Sequence, residues 1–100
     1  MYWNINDKER LICAFRLATD EHLIKSLLSD LLSHKELEKL ATRLKVACLL
    51  YEGAPYEEIR KITGLSSKTI AKISKKLDDK RSGFGEIIKK FREKGHSYKD

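Results

Sequence analysis

The chain has one proline among 100 residues, and no segment alternates apolar and polar residues between glycine, proline or asparagine turns. A sequence without strand-like alternation and nearly free of helix breakers is expected to be all-α. No apolar run approaches the roughly 20 residues that a membrane-spanning helix needs. The N-terminus lacks the charged start, apolar core and cleavage site of a signal peptide. We therefore expect a cytoplasmic protein without a membrane partner.

Cysteine and histidine are also scarce. Cys13 and Cys48 lie in apolar helical stretches, where reduced core cysteines rather than a disulfide are expected. His22, His34 and His96 share no metal-ligand spacing with each other or with the cysteines. The sequence also lacks a glycine-rich phosphate loop and a recognisable nucleophile–base pair. These absences predict no metal, no cofactor and no enzymatic activity.

The net positive charge of the chain lies in its C-terminal part. Residues 1–55 hold eight basic and eight acidic residues, whereas residues 56–100 hold thirteen and seven, so the whole excess of +6 lies there. A phosphate-binding face needs such a concentration, because each neutralised phosphate releases condensed counterions. An anionic membrane surface would attract the same charge, but the basic segment lacks the Trp/Phe/Leu-rich opposite face of an interfacial helix. Nucleic acid is the favoured partner.

The segment from Tyr56 to Leu77 predicts two short amphipathic helices joined at Gly64. Pro55 suits the start of the first helix, Gly64 supplies the left-handed backbone of the turn, and Ser66 can cap the second helix. We expect Leu65 to fill the angle between the helices together with Ile59, Ile62 and Ile70. The second helix would bury Ile70, Ile73 and Leu77 and present, on its other face, Ser67, Lys68, Ala71, Lys72 and Lys75.

This arrangement is typical of a helix-turn-helix, whose second helix enters the major groove of DNA. The alternative is an ordinary αα-hairpin with a solvated lysine face. A single domain of residues 1–100 is expected, because the chain has no room for a second module. Within it, residues 1–53 would form dimerisation helices, residues 54–78 the helix-turn-helix, residues 79–94 a loop and C-terminal helix, and residues 95–100 a frayed tail.

Helical periodicity predicts six helices in total. The first spans about residues 6–17, and the second follows a cap at Thr19 or Asp20 and reaches about Leu31. The third begins at a capping box of Ser33 and Glu36 and ends at Gly53. The two helices of the helix-turn-helix follow, then a polar loop over residues 78–85 and a last helix over about residues 86–94.

The first half of the chain is rich in leucine. Its apolar residues include Leu23, Ile24, Leu27, Leu28, Leu31, Leu32, Leu37 and Leu40. Two copies that interlock their N-terminal helices would bury these side chains. The dimer would also present two helix-turn-helix units to a DNA site with two-fold symmetry. The alternative is a compact monomer that packs the leucines internally.

A family resemblance begins at Leu31. The segment reads Leu31-Leu-Ser-His-Lys-Glu-Leu-Glu-Lys-Leu-Ala-Thr-Arg-Leu-Lys-Val46 and resembles the segment of bacterial tryptophan repressors that enters and fills their third long helix. The similarity continues through Leu49-Leu-Tyr-Glu-Gly53, Glu58-Ile-Arg-Lys-Ile-Thr-Gly64 and Lys68-Thr-Ile70. It covers about residues 19–94 and is specific over residues 31–77. At Gly83-Phe84 the sequence is more similar to a smaller branch of the family, the tryptophan-repressor-like homologues without a complete tryptophan site.

The resemblance implies a six-helix, intertwined homodimer that binds double-stranded operator DNA and represses transcription in the bacterial cytoplasm, at the nucleoid when bound. The base-reading positions of the family correspond to Ser67, Lys68, Thr69, Ala71 and Lys72, and a DNA contact from the preceding helix corresponds to Arg60. Lys68 and Lys72 can donate to guanine, and Ala71 can touch a thymine methyl. Phosphate contacts are expected from Lys75, Lys76, Lys80 and Arg81.

For any one of these lysines the alternative is a solvated charge. The alternative function is a helix-turn-helix interaction module, or a sigma-type module, without DNA specificity of its own.

The resemblance also implies a possible effector cleft at Ser33, Arg43, Thr69 and Lys72. Lys72 stands where tryptophan-responsive members have a second arginine, and lysine is a poor planar stacking partner. Ile73 replaces a glycine that leaves room for the indole, and Lys76 replaces a serine near the ligand amine. We therefore expect that tryptophan is not the co-repressor, and the effector stays unassigned. If Arg43 does not bind an effector, its alternative role is to form a structural ion pair.

Overall fold

The computed structural model describes residues 4–95, which form six α-helices and no β-strand. The helices are α1 (Asp7–Leu17), α2 (Glu21–Leu31), α3 (His34–Tyr51), α4 (Tyr56–Thr63), α5 (Ser67–Asp78) and α6 (Gly83–Glu93). The predicted all-α, six-helix architecture is confirmed. His96 and the rest of the predicted tail, residues 96–100, lie outside the described residues. The chain divides into two compact units between Glu38 and Lys39.

In the first unit, short polar side chains fix where the helices begin. The Asn6 side chain accepts a hydrogen bond from the Glu9 N–H at 2.9 Å and starts α1. The Asp20 carboxylate accepts from the Leu23 N–H at 2.8 Å, so Asp20 rather than Thr19 caps α2. Each cap satisfies a backbone donor that a helix start otherwise leaves without a partner.

The start of α3 shows the predicted capping box. The Ser33 N–H donates to the Glu36 carboxylate at 2.9 Å, and the Glu36 N–H donates to Ser33 Oγ at 3.2 Å. The reciprocal pair satisfies two backbone donors at once. The serine-to-glutamate spacing in the sequence was therefore sufficient to place this helix start.

The apolar side chains of the first unit are largely uncovered. Neither α1 nor α2 contains a buried residue, and Ala18 is the one buried hydrophobic residue of positions 4–38. Ile12 is 60 % exposed and Leu17 is 76 % exposed. The other large exposed apolar residues of this unit are Leu11, Phe15, Leu23 and Leu31.

The second unit contains the hydrophobic core. Its buried members come from α3, α4, α5, α6 and the turn before α4, and they are Val46, Ala47, Leu49, Ala54, Ile59, Ile70, Ile73 and Ile88. Helix α5 packs against both α4 and α6. The Arg92 guanidinium of α6 lies 5.6 Å from the centre of the Tyr51 ring of α3, within cation–π range. Helix α5 therefore lies against α4 and α6, and the Arg92–Tyr51 contact joins α6 to α3.

The turn between α4 and α5 follows the predicted chemistry. Gly64 has φ of +73°, a left-handed conformation that glycine adopts without steric cost, and its N–H donates to the Arg60 carbonyl at 2.8 Å. Ser66 Oγ accepts from the Thr69 N–H at 3.2 Å and caps α5. The helix-turn-helix therefore has local causes at both of its junctions.

Two details of the helix-turn-helix differ from the sequence-based expectations. Pro55 is the residue before α4 rather than the first helical residue, with φ of −71° and ψ of 152°. Ile62 is 42 % exposed and does not fill the angle between α4 and α5. Leu65 does pack against the buried Ile59 and Ile70 cluster. Three side chains therefore fill the space that four were expected to share, because Ile62 is exposed.

The predicted loop over residues 78–85 is also too long. Helix α5 continues to Asp78 and α6 begins at Gly83, three residues earlier than expected. Ser82 Oγ accepts a hydrogen bond from the Gly85 N–H at 3.3 Å and caps α6. The cap and the burial of Ile88 outweigh the low helix propensity of Gly83 and Gly85.

Candidate nucleic-acid interface

Helix α5 has an apolar face and a basic face. Ile70 and Ile73 are buried and Leu77 is half-buried, at the three- and four-residue spacing of one helical stripe. The opposite face is exposed and consists of Ser67, Lys68, Ala71, Lys72 and Lys75. This division of α5 was predicted from the sequence, and the structure confirms it.

The buried stripe fixes how the basic face is presented. Ile70 is fully buried in the same cluster as Ile59 of α4 and Ile88 of α6. Rotating α5 about its axis would expose Ile70 and bury a lysine, and both changes are unfavourable. The basic face therefore points away from the core on a rigid helix.

Thr69 differs from the other candidate base-reading residues. It is half-buried, and its Oγ1 lies 3.1 Å from Ser66 Oγ. The hydroxyl is thus engaged with the residue that caps α5. Thr69 stabilises the start of the helix, whereas its exposed neighbours Ser67 and Lys68 carry side chains open to solvent.

The remaining candidate residues extend the positive surface at both ends of α5. Arg60 is exposed on α4 and lines a shallow groove of about 390 Å³ with Lys61 and Ser66, beside the helix-turn-helix turn. Lys80 and Arg81 are exposed in the α5–α6 connection. The Arg81 N–H donates to Asp79 Oδ1 at 2.9 Å, and Arg81 Nε lies 4.0 Å from the same oxygen.

The lysines of α5 have no carboxylate partner within the described residues. Among residues 4–95, ion pairs join Arg10 to Asp7, Lys25 to Glu21, His34 to Glu38 and Arg81 to Asp79. Within the same residues, neither the four lysines of α5 nor Arg43 forms one. The first turn of α5 has no acidic residue to offset the positive end of the helix dipole. The result is a positive surface suited to phosphate.

A cleft of about 680 Å³ lies beside α5 in the second unit. Its lining residues are Leu40, Arg43, Thr69, Lys72, Ile73, Lys75, Lys76, Asp79 and Phe84. Three of the four residues expected at an effector cleft, Arg43, Thr69 and Lys72, meet here, together with Ile73 and Lys76. Ser33 belongs to the first unit, where its hydroxyl caps α3.

Sequence reasoning missed Leu40, Asp79 and Phe84 as lining residues of this cleft. Phe84 lies in the segment expected to be a loop, and it reaches the cleft because α6 begins at Gly83. The sequence could have indicated this role, because Phe84 is a single aromatic residue in a polar stretch that contains glycine. Asp79 gave no such signal, since its role depends on the geometry of the α5–α6 turn.

Other kinds of site have little support. No group of histidine, cysteine, aspartate or glutamate residues within positions 4–95 could hold a metal ion. Cys13 and Cys48 are both free and half-buried. Burial, with a smaller contribution from Glu52, raises the pKa of the Cys48 thiol, which favours the unreactive protonated form. Within the described positions, no helix has both the length and the apolarity to cross a membrane.

Comparison with known proteins gives one result at the level of the family. The model of the family described as Trp repressor protein matches residues 8–92, a range that includes every candidate DNA-contact and cleft residue. No significant match was found among curated proteins or among solved structures.

Proposed function

Because the chain belongs to the Trp repressor family, a family of DNA-binding regulators rather than enzymes, we propose that it binds double-stranded operator DNA through α5 and represses transcription. The observation that carries the proposal is the exposed face of Lys68, Lys72 and Lys75, which has no carboxylate partner within residues 4–95 and is fixed in place by the buried Ile70 and Ile73. The protein would act in the bacterial cytoplasm, at the nucleoid when bound.

The proposed contacts fall into two classes. Lys68 and Lys72 donate to guanine edges in the major groove, Ala71 contacts a thymine methyl, and Ser67 and Arg60 add polar contacts. Lys75, Lys76, Lys80 and Arg81 meet phosphates and set the position of the helix on the duplex. Thr69 acts through the α5 cap, because its hydroxyl is engaged with Ser66.

A binding titration on duplex DNA across salt concentrations tests this function. Each neutralised phosphate should contribute about −0.9 to the slope of log K against log salt, so several phosphate contacts give a steep dependence. Selection from a random duplex pool should then recover a preferred sequence. Absence of binding even at low salt would favour the alternative, an interaction module that uses the same helix pair beside a protein partner.

We also propose that two copies of the chain assemble through the helices of the first unit. In that unit Ile12, Phe15, Leu17, Leu23 and Leu31 are exposed, more than a monomeric domain usually leaves uncovered within so few residues. A second copy would bury these side chains by the hydrophobic effect. An intertwined arrangement, as the family resemblance implies, would do so most completely.

Sedimentation at micromolar concentration should give twice the 11.6 kDa chain mass. The change Ile12→Glu should shift the equilibrium to monomer, because a carboxylate in an apolar interface loses its hydration without gaining a partner. Lys89→Glu, at an exposed position of α6, serves as the control and should leave the dimer intact. A stable, well-folded wild-type monomer at that concentration would contradict this assembly.

Tryptophan should not bind to the cleft. Ile73 lines it and is buried in the core, so its side chain cannot move aside for an indole without opening a cavity. Lys76 adds a cation that would repel the amino acid's ammonium. Calorimetry with millimolar tryptophan should show no saturable heat, and the affinity for DNA should be unchanged. Saturable binding that tightens the DNA complex would overturn this expectation.

A further inference from the structure

The last residue of α4, Thr63, makes two hydrogen bonds through one hydroxyl group. Thr63 is half-buried. Its Oγ1 donates to the Ile59 carbonyl at 2.7 Å and accepts from the Leu65 N–H at 3.3 Å. A threonine hydroxyl can do both, because it has one donor and two acceptor lone pairs. The hydroxyl therefore bridges the final turn of α4 and the residue that follows Gly64.

The bridge satisfies a backbone donor in the turn. The Gly64 N–H donates to the Arg60 carbonyl at 2.8 Å, but within residues 4–95 the Leu65 N–H has no acceptor other than Thr63 Oγ1. Its bond of 3.3 Å lies at the long end of hydrogen-bond distances. Leu65 is half-buried and packs against the core, where a backbone donor without a partner is unfavourable. The hydroxyl therefore ties the turn to α4 immediately after a glycine, which adds little restraint of its own.

The turn connects two residues proposed to contact DNA. Arg60 is exposed on α4, and Lys68 is exposed in the first turn of α5. The groove beside the turn has Arg60, Leu65 and Ser66 among its lining residues, so the start of α5 lies close to Arg60. The two helices of a helix-turn-helix contact one duplex in different ways, the second in the major groove and the first across the backbone. Arg60 and Lys68 can therefore act on one duplex only if the angle between α4 and α5 is fixed.

We propose that Thr63 is a positioning residue for DNA recognition, whose hydroxyl fixes the angle between α4 and α5 so that Arg60 and Lys68 contact the same duplex. The effect on DNA rests on the proposed DNA-binding function, whereas the restraint on the turn can be measured without DNA. A residue that only filled space would be replaced without loss by valine, which has the shape of threonine but no hydroxyl. The role of Thr63 is therefore tested by comparing valine with serine at this position.

The restraint on the turn is measured first, by amide hydrogen exchange of the full chain without DNA. The protection factor of the Leu65 N–H should fall by about two- to tenfold in Thr63→Val, the effect of losing one hydrogen bond. Thr63→Ser keeps the hydroxyl and should retain most of the protection. The Gly64 N–H, which donates to the Arg60 carbonyl, is the internal control and should change much less. Equal protection of Leu65 in the wild type and in Thr63→Val would overturn the bridge.

DNA recognition is measured next, on the preferred duplex and on a scrambled one. Thr63→Val should weaken the preferred duplex by about two- to tenfold and leave the scrambled duplex nearly unchanged, because non-specific binding depends on charge. Thr63→Ser should recover most of the loss. Thr42→Val makes the same chemical change at a half-buried position of α3 and should leave both affinities unchanged. An equal loss on both duplexes in Thr63→Val would indicate a smaller folded fraction and would overturn the positioning role.

A double-mutant cycle then asks whether Thr63 acts through Arg60. Arg60→Ala is measured in the wild type and in the Thr63→Val protein, on the preferred duplex. If the hydroxyl aligns the two helices, Arg60→Ala should reduce affinity less in the variant than in the wild type, so the two changes are less than additive. Additive losses would show that Thr63 does not act through the position of Arg60 and would overturn the proposal. A wild type whose Leu65 N–H is protected by Thr63 but which binds no DNA would instead contradict the proposed function and leave the restraint on the turn standing.

Discussion

Replacing Lys72 with alanine is expected to weaken binding to the preferred duplex by about 1–3 kcal/mol and to relax discrimination at one base pair. The reason is the position of Lys72 on the exposed face of α5, opposite the buried Ile70 and Ile73. A base-reading side chain forms its hydrogen bond only on a sequence that offers the matching acceptor. Its removal therefore reduces the binding free energy for that sequence and not for others. Lys68→Ala should behave in the same way at a different base pair.

Lys80→Ala is the matched comparison, because Lys80 is also exposed but lies in the α5–α6 connection. A phosphate contact does not depend on sequence, so this change should weaken preferred and scrambled duplexes alike. It should also reduce the salt slope by about one unit. The measurement is the affinity of each variant for both duplexes at several salt concentrations.

These measurements distinguish base reading from phosphate contact, and both from the absence of any role in DNA binding. If Lys72→Ala lowers both affinities equally, the role of Lys72 is electrostatic, and base reading belongs elsewhere on α5. If none of the three substitutions changes binding, α5 is not the DNA-binding helix. The second outcome would leave the helix-turn-helix as a packing unit of the second compact unit.

Ile70→Ala should have the largest effect on stability. Ile70 is fully buried among residues of α3, α4 and α6, so removing its side chain leaves a cavity in a close-packed core. Substitutions of this kind cost about 2–5 kcal/mol in the free energy of unfolding. DNA binding should fail together with stability, because the same side chain fixes the rotation of α5.

Ile62→Ala supplies the control for this prediction. Ile62 is in the same helix-turn-helix but is 42 % exposed, so its truncation should change the free energy of unfolding by less than about 1 kcal/mol. Urea unfolding of both variants at one protein concentration gives the comparison, since the stability of an assembling chain depends on concentration. A larger loss for Ile62→Ala than for Ile70→Ala would mean that the core has been assigned to the wrong face of α4.

The ends of the helices were predictable because their causes are local. Ser33 and Glu36 form the expected capping box, Gly64 has the expected left-handed turn, and Ser66 caps α5 as its sequence position indicated. Each involves residues no more than four positions apart, so the pattern along the chain already contains the geometry. The two faces of α5 followed in the same way from helical periodicity.

The start of α6 was not predictable in this way. Gly83 and Gly85 suggested a loop, yet Ser82 caps a helix that begins at Gly83 and places Phe84 in the cleft. The energy that decides between loop and helix comes partly from the burial of Ile88 in the core. That burial depends on residues of α3, α4 and α5 that are distant in sequence.

The sequence by itself determined the all-α class, the positions of the turns and caps, and the two-sided character of α5. It also carried the resemblance to the family whose model matches residues 8–92. Only the tertiary structure decided that Ile62 lies outside the core and that Arg43 shares a cleft with the lysines of α5. Local hydrogen bonding and helical periodicity are encoded in adjacent residues, whereas the choice between two apolar side chains and the lining of a cleft depend on how separate helices pack.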